Sequence, residues 1–299
     1  MTAITRPAPA APSRLAPLLR FCRAYARRPA GLAGLAFLVA ISLLALAAPL
    51  FIHPSALSVV GATGRSLAPP SARYPLGTDQ PGRSILDLLI WGARPSLAIG
   101  LIATALTVLL GGAIGLVAGH YGGLLARVLM MITDWFLALP SLPLAIALAA
   151  VLGQGSTSIT IAIAVTSWSA TARLIRAQTL AVEARPFIER ARALGAGDVQ
   201  IMIRQVLPNV MPMILVSSTL TIANSILSET TLTFLGLGNP ADVSWGSMLN
   251  QAFYEGAISD GAWWFILPPG IAIAVVVLGF IVVGRAVEQI LNPRLPGGR

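Results

Sequence analysis

Six stretches of this chain run for about twenty residues with almost no charge, and no other feature constrains its fold as strongly. They are Gly31 to Ile52, Ser96 to Gly119, Val128 to Leu152, Gly153 to Ala172, Val210 to Ser228 and Gly261 to Gly284. In hydrocarbon every backbone N–H and C=O needs an internal partner, so an uninterrupted apolar run of this length is a helix. At 1.5 Å per residue each run spans about 27 to 35 Å, enough to cross a bilayer. The expected fold class is therefore an all-α membrane protein with six transmembrane helices. Residues that are 56% hydrophobic and only 10% charged leave little material for a soluble core of this length.

The placement of arginine orients the bundle. Sixteen of the twenty basic residues fall in the N-terminal tail, at Arg127, around residues 173 to 204 and in the C-terminal tail; Arg65, Arg73, Arg83 and Arg94 fall in the first loop. The loop from Glu229 to Asp260 carries only acids. The positive-inside rule then makes both termini cytoplasmic, and assigns the net charge of +9 to the membrane and not to nucleic acid. The layout is a cytoplasmic tail over 1–30, a first span over 31–52, an extracytoplasmic loop over 53–95, five further spans over 96–290 and a tail over 291–299. The arginine-rich start and Ala45-Leu46-Ala47 imitate a cleavable signal peptide, but the run is expected to stay as the first span. Leu15, Leu18, Leu19, Cys22 and Ala26 at helical spacing predict an amphipathic helix lying on the bilayer.

All twenty basic residues are arginine, which excludes a P-loop ATPase or a lysine Schiff base within this chain. Cys22 is alone, His53 and His120 are far apart, and no metal set or catalytic constellation is visible. Ala103, Thr107, Gly111, Gly115 and Gly119 recur every fourth residue, a strip where another helix can approach closely. Pro140 and Pro143 should kink or open the third span, and Asp134 lies near its cytoplasmic end as an interfacial carboxylate or a proton relay.

Residues 183 to 209 hold an unusual concentration of charge. Pro186 suits a helix start; Phe187, Ile188, Ala191 and Leu194 fall on one face, with Glu189, Arg190 and Arg192 mainly on others. Gly195 can take the left-handed conformation that ends a helix, and Asp198 can cap the next, which runs toward Leu207 and Pro208. A helix this short needs a surface to pack on: the bilayer, the protein's own helix ends or a soluble partner.

Glu189-Arg-Ala-Arg-Ala-Leu-Gly195, followed after eleven residues by Leu207-Pro208, resembles the EAA loop of binding-protein-dependent ABC importer permeases. It departs from the generic motif at Arg190, usually alanine, and at Gln205, often apolar or histidine. Tyr74-Pro-Leu-Gly-Thr-Asp-Gln-Pro-Gly-Arg83, Gly92-Ala-Arg94, Pro140-Ser-Leu-Pro143, Ser228-Glu-Thr-Thr-Leu-Thr-Phe-Leu-Gly-Leu-Gly238, Ser244-Trp-Gly-Ser-Met248 and Asn292-Pro-Arg-Leu295 extend the resemblance over residues 74 to 295. They are similar to the second permease subunit of dipeptide/oligopeptide importers. The resemblance implies the type I importer permease fold and a heterodimer with a homologous permease. It also implies two ATP-binding subunits that hold ATP and Mg, an extracytoplasmic solute-binding protein and a peptide substrate. It places the chain in a prokaryotic inner membrane, and this chain would bind no cofactor itself.

On that reading the loop residues Phe187, Ile188, Glu189, Arg190, Ala191, Leu194, Gly195, Ala196, Asp198, Leu207 and Pro208 couple the spans to the ATPase. Ser141, Thr166, Ser169, Asn224, Ser225 and Ser228 are candidates for the translocation path, or serve helix packing; Glu229 at the outer end of the fifth span is a further candidate. Asp79, Arg83, Arg94 and Trp245 either close the outer loops or dock the binding protein. The rivals are the same machinery importing nickel, opines, glutathione or oligosaccharides, an ion-coupled secondary carrier, and a membrane-embedded enzyme.

Overall fold

The structure, a computed structural model, describes residues 16–291; the N-terminal extension ahead of them and the tail with its Asn292–Leu295 motif lie outside the described residues. Helix α1 (Ala16–Ala26) leads into the first spanning helix, α2 (Pro29–Phe51). Then follow α3 (Pro54–Leu57), α4 (Ile85–His120), α5 (Gly123–Ala138), α6 (Ser141–Leu152), α7 (Ser156–Glu183), α8 (Pro186–Ala193), α9 (Asp198–Ile201), α10 (Leu207–Phe234), α11 (Trp245–Tyr254) and α12 (Trp263–Leu291). Five helices are long and apolar enough to cross a bilayer, and six if α5 and α6 count as one broken span. Among the described residues there is no strand, only an isolated bridge between Thr78 and Ser84.

One boundary differs from the sequence reading, and the break expected at Pro140 is present. Helix α4 starts at Ile85 and not near Ser96, because Ser84 caps it by accepting the Asp87 N–H at 3.3 Å and Pro95 is absorbed inside the helix. Its 36 residues make a rod of about 54 Å that projects beyond the hydrocarbon. The third span is fully broken: α5 and α6 meet at 92° around Leu139 and Pro140. Pro140 holds φ −61°, ψ 117°, outside the helical region, and its residue type disfavours α-conformation at Leu139 before it. In α1 Tyr25 is buried and donates its O–H to the Gly31 carbonyl at 2.9 Å, while Cys22 and Ala26 of the expected bilayer-facing stripe are left uncovered by the protein.

The four-residue strip on α4 meets α7. A Cβ on Gly111 would strike the Trp168 carbonyl, one on Gly115 the Ala172 carbonyl, and one on Gly119 the Thr179 side chain. Lipid offers no hydrophobic drive between helices, so backbones brought this close hold the pair by dispersion. Helix α10 lies against α4 where Ile226 covers Gly100 and Thr104 donates to Ser225 Oγ at 3.0 Å. Helix α12 brings Gly284 against Thr219 of α10, and α2 rests on α12 through Gly31 against Ala286.

The ends of α4, α7 and α12 gather at one face with α8 and the starts of α2 and α10, tied by contacts such as Arg28 Nη1 to Gln289 Oε1 at 2.8 Å. The opposite face collects α11, the starts of α4 and α7 and the end of α10, where Asn250 donates to the Phe234 carbonyl at 2.6 Å.

Gly112, one residue off the strip, has nothing within 4 Å of a Cβ. Gly115→Val is therefore expected to cost at least about 1–3 kcal/mol by overpacking and to lower the yield of monodisperse protein in detergent. Gly112→Ala should leave both yield and melting temperature unchanged or slightly improved; equal damage at the two positions would contradict the α4–α7 seam.

Candidate functional site

The charged stretch folds as a helical hairpin hung beneath the spans. In α8 Pro186 occupies the first turn, where its missing N–H costs nothing. Ile188 is fully buried with Ile175 and Val182 of α7 and Ile201, Val206 and Val210 beyond the turn. Phe187, Ala191 and Ala196 pack at the edge of that cluster. The helix ends at Gly195, whose φ of +84° is the left-handed conformation expected of it. Ala196 N–H donates to the Ala191 carbonyl at 3.1 Å and Gly195 N–H to the Arg192 carbonyl at 2.9 Å, the double closure that satisfies orphan carbonyls.

Two residues depart from expectation. Leu194 leaves the buried face and stands 88% exposed at the tip, with Glu189 and Arg190 also exposed. Asp198 is not the cap of the second helix: the helix starts one residue earlier, Gly197 takes the cap position in extended conformation, and Asp198 becomes the first helical residue. A π-helical turn over Met202–Val206 then joins α9 to α10. The wide turn suits the sequence, because Pro208 has no N–H to give the Arg204 carbonyl; Leu207 N–H bonds Met202 instead, and Asn209 Nδ2 donates to the Gln205 carbonyl at 2.7 Å.

A set of charges that sequence reasoning missed locks this hairpin to the spans. His120, the last residue of α4, lies 2.5 Å from Glu183 Oε1 at the end of α7; Arg192 of α8 donates to Glu183 Oε2 at 2.6 Å. Asp198 Oδ1 is 4.0 Å from the other ring nitrogen of His120. The side chains of His120 and Glu183 are 1% and 11% exposed. His120 and Glu183 are 63 positions apart in the chain, and the antiparallel packing of α4 on α7 brings them together.

On the flank of α7 away from α4, a cavity of about 680 Å³ opens where α5 breaks from α6. Ser141, Thr166, Ser169, Asn224, Ser225 and Ser228 all line it. On α10 the lining follows Thr221, Asn224, Ser225, Ser228 and Thr231, one helical stripe; Thr221, Thr231, Ser167 and Thr171 were overlooked, and helical spacing from Asn224 would have found the first two. Thr166 donates to the Ala162 carbonyl at 2.9 Å, so its hydroxyl proton is spent on its own helix, whereas Asn224 is exposed to the cavity. Glu229 is a correction: it points off this stripe, is 0% exposed, and accepts Thr233 Oγ1 at 3.1 Å in a separate pocket beside Ser244. Asp134, about one turn before the break at the end of α5, is ion-paired with Arg173 of α7 at 2.5 Å.

The outer loop candidates are mostly interior. Asp79 is 0% exposed, its carboxylate accepting Arg83 Nε and the Arg83 backbone N–H at 2.6 Å each. Arg83 continues to the Leu57 carbonyl and to Gln251 Oε1 at 2.9 Å, stitching the loop to α11. Trp245 is 1% exposed and donates its indole N–H to the Leu89 carbonyl. These three side chains hold the outer face together and are out of reach of a docking protein; Arg94, half-buried with its guanidinium over the Trp91 ring, is the one that remains accessible.

Burial pushes the Asp79 carboxyl above its ordinary value although Arg83 pulls it down; burial, then the Asp79 charge, pushes Glu255 up as well. Glu255 Oε2 is buried without a hydrogen-bond partner among the described residues. A carboxyl raised in the fold binds more protons folded than unfolded, so its contribution to stability falls as pH rises above the ordinary value of 4.5. Glu255→Gln should raise the melting temperature at about pH 8 and lose that gain as pH approaches 4.5. Arg83→Ala, which strands Asp79, should cost about 3–5 kcal/mol. Melting curves of both variants across that range test the network.

With this geometry in hand, comparisons with known proteins identify the relatives. A family profile described as binding-protein-dependent transport system inner membrane component matches residues 111–296. The chain is 38% identical over 286 residues to the di/tripeptide transport system permease protein DppC of Pseudomonas aeruginosa (strain UCBPP-PA14), covering 93% of each. It is 33% identical over 260 residues to the oligopeptide transport system permease protein OppC of Lactococcus lactis subsp. cremoris, covering 86% of this chain and 88% of that one. It is also 37% identical over 227 residues to the glutathione transport system permease protein GsiD of Pectobacterium atrosepticum, covering 76% and 74%. Among solved structures, an inward-facing form of the MetNI methionine ABC transporter matches with a TM-score of 0.53 at 20% identity, covering 67% of this chain and 96% of that one. The chain belongs to the binding-protein-dependent transport system inner membrane components, the permeases of ABC importers.

Proposed function

We propose that this permease couples to ATP-hydrolysing subunits through the α8 hairpin and imports peptides. The observation that carries this reading is the two-sidedness of α8. Ile188 is fully buried among the ends of α7 and α10, while Leu194 at the tip is 88% exposed. A helix fixed to the spans on one side and offering an isolated apolar knob on the other suits a partner with a matching socket. The Arg192–Glu183 ion pair ties α8 to α7, and the His120–Glu183 hydrogen bond ties α7 to α4, so α8 moves as one piece with both. Closure of a nucleotide-bound partner then becomes tilting of rigid helices.

By the positive-inside rule, the sequence's concentration of arginine in the two tails, at Arg127 and over residues 173–204 supports a cytoplasmic α8 face and both termini on that side, which leaves the α11 face to a solute-binding protein. ATP and Mg would sit on two ATPase subunits, since this chain lacks the lysine a P-loop requires. The serine- and asparagine-lined cavity is one half of a path that a homologous permease completes. Peptides and glutathione are both named for its relatives, and the peptide names accompany the widest coverage. An ion-coupled carrier fits less well: Asp134 is tied to Arg173 and Glu229 is sealed away from the cavity.

Leu194→Asp tests the docking without touching the fold, because the side chain is in solvent. ATPase subunits should no longer copurify and uptake into proteoliposomes should fall at least about tenfold, the loss of an apolar anchor of 1.5–3 kcal/mol. Gly195→Pro is a poorer probe, since proline cannot adopt the positive φ found there. Normal copurification and uptake by Leu194→Asp would remove α8 as the coupling element. Uptake that persists without ATP and collapses with an ionophore would point to the secondary carrier.

A further inference from the structure

A second recess lies along the same α5–α7 seam as the cavity, closer to the α8 face. It encloses about 580 Å³ beneath the Gly122–Gly123 turn, with Arg127, Met130 and Asp134 of α5 on one wall and Arg176 of α7 on the other. The two spaces share helix faces. Arg127, Met130, Asp134 and Leu137 follow one another at intervals of three or four along α5, as do Thr166, Ser169, Arg173 and Arg176 along α7. Leu137, Thr166 and Ser169 line the cavity, Arg127, Met130 and Arg176 line the recess, and the Asp134–Arg173 ion pair stands between them.

The charges of the recess do not balance. Asp134 is already neutralised by Arg173 at 2.5 Å. Arg127 and Arg176 form no ion pair and no side-chain hydrogen bond among the described residues, and Arg176 Nε is buried without a partner. Two unmatched guanidiniums facing a recess of this size form an oxyanion site: a planar fork of donors fits a carboxylate, and low-dielectric walls strengthen the attraction.

We propose that this recess is the exit subsite for the substrate's carboxylate, the last binding point before the cytoplasm. The inference rests on the orientation and import role given above and narrows the cargo. A carboxylate leaving the serine-lined cavity meets Arg127 and Arg176 as it passes the Asp134–Arg173 pair, so its desolvation is offset at each step. A free metal cation such as nickel would be repelled there, and a neutral oligosaccharide would leave both guanidiniums unmatched. Peptides with a free C-terminus, and glutathione with its two carboxylates, fit.

The same donors could hold the phosphate of an inner-leaflet lipid, and the test separates the two sources. Uptake of trialanine by the full complex with its binding protein and ATPases is measured in liposomes of phosphatidylcholine alone and with added phosphatidylglycerol. Arg127→Gln and Arg176→Gln should each lower the maximal rate about tenfold, the worth of one charge-assisted bond, with KM unchanged because the binding protein sets it. The fall should be equal in both liposomes, and Arg176→Lys should recover most of the rate. Arg127 is exposed, so its variant keeps the test valid if Arg176→Gln impairs assembly. A parent rate that needs phosphatidylglycerol, with variants indifferent to it, would make this a lipid site and overturn the proposal. Unchanged rates in both variants would also overturn it while leaving the import reading intact. No ATP-driven trialanine uptake by the parent would sink the peptide reading and this proposal with it.

Discussion

The close approach of α4 and α7 is the contact on which the rest of the molecule depends. Gly111, Gly115 and Gly119 let the two backbones touch, with Trp168, Ala172 and Thr179 filling the space that larger residues would take. In lipid such a seam forms because small residues admit more atoms into contact, and not because water is excluded. Once α7 is pressed to α4 on one side, its other side is free to carry the serine-lined cavity and the arginine recess. The broken span α5–α6 covers that side without filling it, since the bend at Pro140 takes α6 off the line of α5 and packs its Ala145 and Ala149 near the start of α7, with Ile159, Ala162 and Ile163.

The seam also builds the α8 end of the molecule. Because α4 and α7 are antiparallel and held in register, His120 and Glu183 arrive at the same level, and Arg192 of the next helix closes onto them. The hairpin is thus fixed by an apolar plug at Ile188 and a polar clasp at Glu183. Each alone would be modest, the exposed half of the clasp especially. Together with the glycine-ended turn they leave α8 little freedom to move independently of the spans, which a transmitter of force requires.

Much of this was legible in the residues and the rest fails for identifiable reasons. Apolar run length reports the spans because the bilayer demands it, and a four-residue small strip reports a helix contact because only close backbones require it. Gly195 and Pro140 were readable since each has a conformation its neighbours cannot supply or tolerate. Burial of charge was not readable. Asp79 and Arg83 look like surface residues in a turn-rich loop, yet they pair with each other and Arg83 reaches the Leu57 carbonyl and Gln251, and nothing local signals those two distant partners. Trp245 misled in the same way. Helix α4 was started too late because Arg94 and Pro95 resemble a boundary, whereas the Ser84 cap lies ten residues earlier. Glu229 was one position off the cavity stripe, a 100° rotation that composition cannot resolve.

The central claim is that the tip of α8 seats an ATP-hydrolysing subunit, and photocrosslinking from that tip tests it most directly. In a Cys22→Ser background, cysteine at Leu194 would be labelled with benzophenone maleimide and irradiated in native membranes; cysteine at Val60, 97% exposed near the opposite face, serves as the control. The account predicts one strong adduct from position 194 to an ATPase subunit, altered by nucleotide, and none to that subunit from position 60. No ATPase adduct from position 194, or adducts of equal strength from both, would contradict it.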